Sequence, residues 1–301
     1  MIEAGFILFK TTIQEWAAAG YLLPSLAYGF AVNALLAGII IGPVLGSLGT
    51  LVVVKRHAFF SEAVGNAAMT GVAIGILLGE SYDAPYGSLF GYCLLFGIAL
   101  NYLRNRTGLS ADTLIGVFLS MSLALGASIL LILAGRINVH ILENVLFGSI
   151  LTVSGQDIVV LFITGLIVMT LTIRYYNRFM LASFNPMLAS ARELPVRLMD
   201  YIFVILVTVI TVASVKIIGA VLVGALLVIP AAAARTLARS LKEFFFFSIS
   251  FAFLASIMGI IIPMEYALPV PSGAAIILSA SLIFFLAVIV KVLLRKDEGI
   301  V

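Results

Sequence analysis

Nine long stretches of almost uncharged apolar sequence, separated by short segments that hold nearly all the charge, leave this chain few ways to fold. They run over 27–54, 63–78, 86–103, 112–134, 156–173, 200–215, 217–234, 244–262 and 272–292. Each is continuous in its apolar character. A membrane barrel would instead show segments of roughly ten residues with alternating polarity, so these stretches are read as helices. Hydrophobic residues make up 63% of the 301 positions and charged residues 10%, which is too little polar surface to wet a soluble domain of this size. The predicted fold is an all-α integral membrane protein, a polytopic bundle of eight to nine transmembrane helices.

The charges behave as topology signals. Lys55/Arg56, Arg104/Arg106, Arg174–Arg197, Arg235–Lys242 and Lys291–Lys296 are the basic clusters; Glu80/Asp83, Arg136/Glu143, the Lys216 region and Pro263–Pro271 fall between them. Cytoplasmic loops carry the Lys/Arg excess, so the basic set is expected inside, which gives nine crossings with the N-terminus outside and the C-terminus inside. The stretch 200–234 also admits one crossing plus a re-entrant or broken segment, hence eight to nine. Basic residues scattered between apolar segments do not make the single patch that nucleic acid requires, despite a net charge of +3. Cys93, the only cysteine, lies in an apolar run and excludes a disulfide framework.

Three segments follow from this. Residues 1–26 read as an interfacial amphipathic segment anchored by Trp16. Residues 27–294 form one transmembrane domain with a cytoplasmic loop at about 182–199, and 295–301 form a cytoplasmic tail. No GxxxxGK[ST] loop is present, so energy from ATP would have to come through another subunit. Gly38, Gly42, Gly46 and Gly49, and then Gly71, Gly75 and Gly79, recur every three or four residues and predict flat faces for close helix packing.

Ionisable groups inside spans are costly in lipid and are therefore candidate sites. Glu62 and Asn66 lie one turn apart on the same face of the second span, where a carboxylate and an amide together offer oxygen ligands to a cation. The other reading of Glu62 is an interfacial carboxylate favoured by the helix N-terminus. Asp112 reads as a first-turn residue of the fourth span, with Ser110 or Asp112 capping. His57, beside Lys55 and Arg56, is expected to be solvated at the interface; His140 lies in an outer loop with Arg136, Asn138 and Glu143. Asn33 is expected to bond between helices, and Pro230 is a hinge or a kink. In the loop, Asn185-Pro186 signals a helix start, and Met187, Leu188 and Leu194 are expected to be exposed as a docking knob for a partner.

Taken in order, NALLAGIIIGPVLGSLG at 33–49, VVKRHAFFSEAVGNAAMTGVAIG at 53–75, SADTLIGVFLSMSLALG at 110–126, NVLFGSIL at 144–151, SFNPMLA at 183–189 and VKIIGAVLVGALLVIPAAAARTLARS at 215–240 resemble the permease subunits of bacterial ABC importers for zinc, manganese and ferrous iron. The resemblance implies a multi-pass protein of the bacterial inner membrane that works without ATPase activity or a bound cofactor of its own. It implies a second permease copy, as homodimer or paired permease, a cytoplasmic ATPase subunit holding the ATP and docking near 185–194, and an extracytoplasmic metal-binding protein. Such permeases usually carry an aspartate followed four residues later by a histidine in the second span; Glu62 and Asn66 stand there in this chain. Loss of the imidazole leaves a harder donor set, which tilts toward manganese or iron, or marks the partner half of a heterodimer or another cargo. Asp112 is a third pathway candidate. The rival functions are a permease for metal chelates or cobalamin-like substrates, which needs a wider cavity, and an ion-gradient-driven transporter, which needs more buried carboxylates.

Overall fold

The computed structural model describes residues 10–17, 19–20, 23–80, 85–133, 153–266, 268 and 270–297. A short helix over 10–17 and a 3-10 turn at Pro24–Ala27 precede α1, Gly29–Lys55. Then follow α2 (Phe60–Leu77), α3 (Tyr86–Thr107), α4 (Ala111–Leu133) and α5 (Gly155–Phe184). The six-residue α6 (Pro186–Ala191) leads to α7 (Val196–Ile218), α8 (Ala220–Leu237), α9 (Leu241–Glu265) and α10 (Ser272–Asp297). Among the described residues eight helices are long and apolar enough to cross a membrane, and α8 is apolar over the shorter Leu222–Leu237. The open stretch 200–234 is therefore two helices. Gly219 separates them at φ 89°, ψ 153°, a conformation open to glycine and closed to residues with a Cβ.

α1 and α2 form the middle of the bundle. The apolar window of α2 is 83% buried and that of α1 72%, against 17% for α10, most of whose surface the rest of the chain leaves uncovered. Lipid tails are as apolar as leucine, so helices associate here through close packing rather than through the hydrophobic effect. The glycine stripe of α1 supplies that packing. A Cβ on Gly46 would come 2.7 Å from the Ser248 carbonyl oxygen of α9, and one on Gly42 would come 2.9 Å from Ser256 Oγ. Gly49 faces α8, where a Cβ would overlap the Leu227 carbonyl. Ser248 Oγ in turn donates to the Gly46 carbonyl at 2.6 Å, which locks α9 to α1. On α2, Gly71 and Gly75 lie against α3, while Thr70 Oγ1 donates to the Ser122 carbonyl of α4 at 2.8 Å.

One expectation about the helices needs correction. The fifth span was expected to end at 173, yet α5 continues to Phe184. Tyr175, Phe179 and Met180 pack against the bundle, and Arg174 and Arg178 stack on Tyr175 at 5.9 and 5.5 Å, so charge in this stretch does not end the helix. At the N-terminus, residues 10–17 are helical, with Trp16 57% exposed and Ala17 packed on Leu26 and Ala31. Residues 1–9, 18 and 21–22 of that segment and residues 134–152, which include Arg136, Asn138, His140 and Glu143, lie outside the described residues.

Candidate functional site

α2 carries Glu62 in its first turn and Asn66 one turn later. Most of α2 is sealed: Phe60, Ser61, Ala63, Val64, Ala67, Ala68 and Ala73 are 0% exposed. Apart from half-buried Ile74 and exposed Leu77 at its far end, the residual exposure falls on half-buried Glu62, on Asn66 and Met69 at 8%, and on Val72 at 8% and Ile76 at 9%. Those positions recur at helical spacing and form one stripe along α2 that the chain's own helices leave incompletely covered. The side chain of Asn66 makes no hydrogen bond with another described residue, which leaves its amide available to a ligand. Met69 adds a thioether seven residues after Glu62. The sequence reading passed it over because methionine in an apolar span ordinarily fills gaps.

The depth of this turn follows from its neighbours. A Cβ on Gly224 of α8 would touch Ser61 Oγ at 3.3 Å and Glu62 Cβ at 3.7 Å. Gly224 precedes Leu227, which abuts Gly49, so the first turn of α2 is packed against α8 inside the bundle.

Below the turn lies a cluster that the sequence reading missed. Lys55 Nζ and Asp200 Oδ1 are 2.5 Å apart, with side chains 6% and 14% exposed. His57, expected to be solvated, is 2% exposed. Its Nδ1 lies 2.8 Å from the Lys55 carbonyl oxygen and its Nε2 lies 2.9 Å from Arg104 Nη1. A guanidinium only donates, so Nε2 accepts and the proton sits on Nδ1, which donates to Lys55. Burial, then the charge of Arg104, lower the pKa of this imidazole to about 4 and keep it neutral. Phe203 stands beside both groups, with Lys55 Nζ 5.2 Å from its ring centre and the His57 ring at 5.9 Å.

The other expected residues are placed as follows. Asp112 is exposed at the start of α4, where Ser110 Oγ accepts from the Thr113 amide at 3.2 Å, so Ser110 is the cap. Asp112 does not join Glu62 and Asn66 on the α2 stripe. Asn33 Nδ2 donates to the Val153 carbonyl at 3.1 Å, tying α1 to the chain just before the N-cap of α5. Cys93 is buried, its thiol 3.8 Å from the Val64 carbonyl. Pro230 is buried within an uninterrupted α8. Asn185 caps α6, accepting from the Leu188 amide at 3.0 Å, and Pro186 occupies the first turn. Met187 is 85% and Leu188 43% exposed. Leu194, also expected to be exposed, instead packs back against the bundle, because the turn at Glu193 (φ 58°) reverses the chain after α6.

Two adjoining clefts of about 270 and 560 Å³ share Phe184 and Leu241, and the larger reaches Arg192 and Leu194 just after α6. Among the described residues no group of three or more His, Cys, Asp or Glu side chains gathers to hold a metal permanently.

A family model described as the ABC 3 transport family matches residues 27–291. The manganese transport system membrane protein MntC of Listeria innocua is 31% identical over 260 residues, 86% of this chain and 90% of that protein. The high-affinity zinc uptake system membrane protein ZnuB of Haemophilus influenzae is 30% identical over 255 residues, covering 84% and 95%. Among solved structures, PsaBC from Streptococcus pneumoniae in complex with Fab superposes with a TM-score of 0.75 at 29% identity, covering 86% of this chain and 91% of that one.

Proposed function

The chain belongs to the ABC 3 transport family, and from that premise we propose that it is the permease subunit of an ATP-driven importer of a divalent transition metal. The observation that carries this reading is the match along nearly the whole chain to permeases named for manganese and for zinc transport. It is a transport component of the bacterial inner membrane that gives an alternating-access path; hydrolysis belongs to a separate cytoplasmic ATPase. An extracytoplasmic metal-binding protein delivers the ion, and a second permease copy completes the path.

Within this chain the pathway is assigned to the α2 stripe, with Glu62 supplying charge and Asn66 an amide oxygen. Both are hard donors, which favours manganese or ferrous iron over zinc. Asp112, exposed at the mouth of α4, plays at most a part in ion exit. Asn185, Pro186, Met187 and Leu188 offer the docking surface for the ATPase, with Leu194 anchoring that surface to the bundle, and Pro230 is assigned the hinge of α8 because no backbone N–H is available there to close the helical ladder.

The test is uptake of manganese, zinc and iron in cells that express the chain with its ATPase and binding protein. Glu62→Gln is expected to abolish uptake, and Asn66→His to move preference toward zinc. Parent-like transport by both variants would remove the pathway from α2, and absence of metal uptake by the intact system would overturn the metal reading.

A further inference from the structure

We infer that Lys55, His57, Arg104 and Asp200 are positioning residues of transport, a node that carries displacement of α6 and α7 to the first turn of α2. The inference rests on the permease reading above, and it follows from a chain of contacts that leaves no slack.

α6 is joined to α7 by four residues held in a tight turn, in which the Arg192 amide bonds to the Leu188 carbonyl, the Glu193 amide to Ser190 and the Leu194 amide to Ala189. Whatever moves α6 therefore moves the start of α7. In the second turn of α7, Asp200 holds Lys55 at 2.5 Å across 145 residues of sequence, and Phe203, 1% exposed, wedges beside it. Lys55 is the last residue of α1, and its carbonyl holds the His57 ring, which Arg104 of α3 holds from the other side. The His57 carbonyl accepts from the Phe60 amide at 3.0 Å, and Phe60, 0% exposed, opens α2 two residues before Glu62. Four helices thus meet at one set of polar contacts between the docking helix and the pathway turn.

The chemistry suits a lever better than a glue. A buried ion pair contributes little net stability compared with an apolar pair, because both ions must be stripped of water, but it fixes register, since sliding either helix leaves a bare charge. The neutral His57 serves the same end. With Nδ1 donating and Nε2 accepting, it accommodates a carbonyl on one side and a guanidinium on the other only in one ring orientation. An apolar contact would let α7 slip against α1 as the ATPases close; this one obliges the start of α2 to follow.

The experiment uses the assembled importer (permease, ATPase and binding protein) in proteoliposomes, with ATP hydrolysis and manganese uptake measured on the same vesicles. Asp200→Asn is expected to leave hydrolysis near parent level while uptake per ATP falls about tenfold, the size of an ordinary coupling energy. The charge-swapped pair Lys55→Asp with Asp200→Lys is expected to recover most of that ratio. Hydrolysis and uptake falling in proportion, or an unchanged ratio in Asp200→Asn, would overturn the inference. Should Asp200→Asn fail to assemble, the swapped pair decides alone, since a parent-like ratio there supports the node and an uncoupled one refutes it. A parent importer that moves no metal would instead sink the permease reading beneath it.

Discussion

Acidification tests the His57 environment directly. The imidazole is lowered from its ordinary 6.5 to about 4 in the folded protein, burial being the larger cause and Arg104 the second. Because the folded pKa is depressed, the unfolded chain takes up the proton first, and stability is lost as pH falls from 6.5 toward 4. Above pH 6.5 both states are neutral and the contribution is complete. The gap between those values corresponds to roughly 3 kcal/mol, at about 1.4 kcal/mol per pH unit within the window. For a chain of this size that is about 5 °C or more in unfolding temperature. The assay is thermal stability of the detergent-purified protein by size exclusion at intervals from pH 7 to 4.5, for the natural chain and for His57→Gln. Glutamine donates to the Lys55 carbonyl and accepts from Arg104 without titrating, so the natural chain is expected to lose more stability as pH falls, with the two curves diverging below pH 6.5. Parallel curves would refute the assignment of a neutral, buried imidazole.

Other outcomes follow from the packing. Gly46→Val is expected to cost about 1–3 kcal/mol or to prevent folding, because the new Cβ meets backbone of α9 that has nowhere to go; Gly91→Ala, with open space around it, serves as the silent control in the same thermal assay. Thr70→Val removes the bond to the Ser122 carbonyl and is expected to lower stability by about 1 kcal/mol, with Thr70→Ser restoring it. Met187→Glu, at a side chain 85% exposed, is expected to leave the isolated chain's unfolding temperature unchanged while reducing co-purification of the ATPase. Unchanged co-purification would place the docking surface elsewhere.

Much of the fold was legible because lipid makes local sequence decisive. A span must satisfy its own backbone hydrogen bonds and present apolar side chains, so 86–103 and 272–292 could be read off the chain and appear as α3 and α10 with only their ends extended. The glycine stripe of α1 was legible for the same reason, as small residues at helical spacing have one main use in a membrane. Where the lipid ends, so does that constraint. The last turns of α5 look like a charged loop but continue as helix, since Arg178 and Tyr175 are as compatible with helix in the headgroup layer as with coil.

The sequence by itself therefore determined the class, the spans and their basic sides, and it singled out Glu62 and Asn66 by their cost in an apolar environment. Only the tertiary structure decided which charges meet. Lys55 and Asp200 are 145 residues apart and each looks like an ordinary interfacial charge, and His57 beside two cations looks solvated. Their pairing depends on how α1, α3 and α7 converge at one end of the bundle. That convergence is set by shape and close packing over whole helices, which no short stretch of residues encodes.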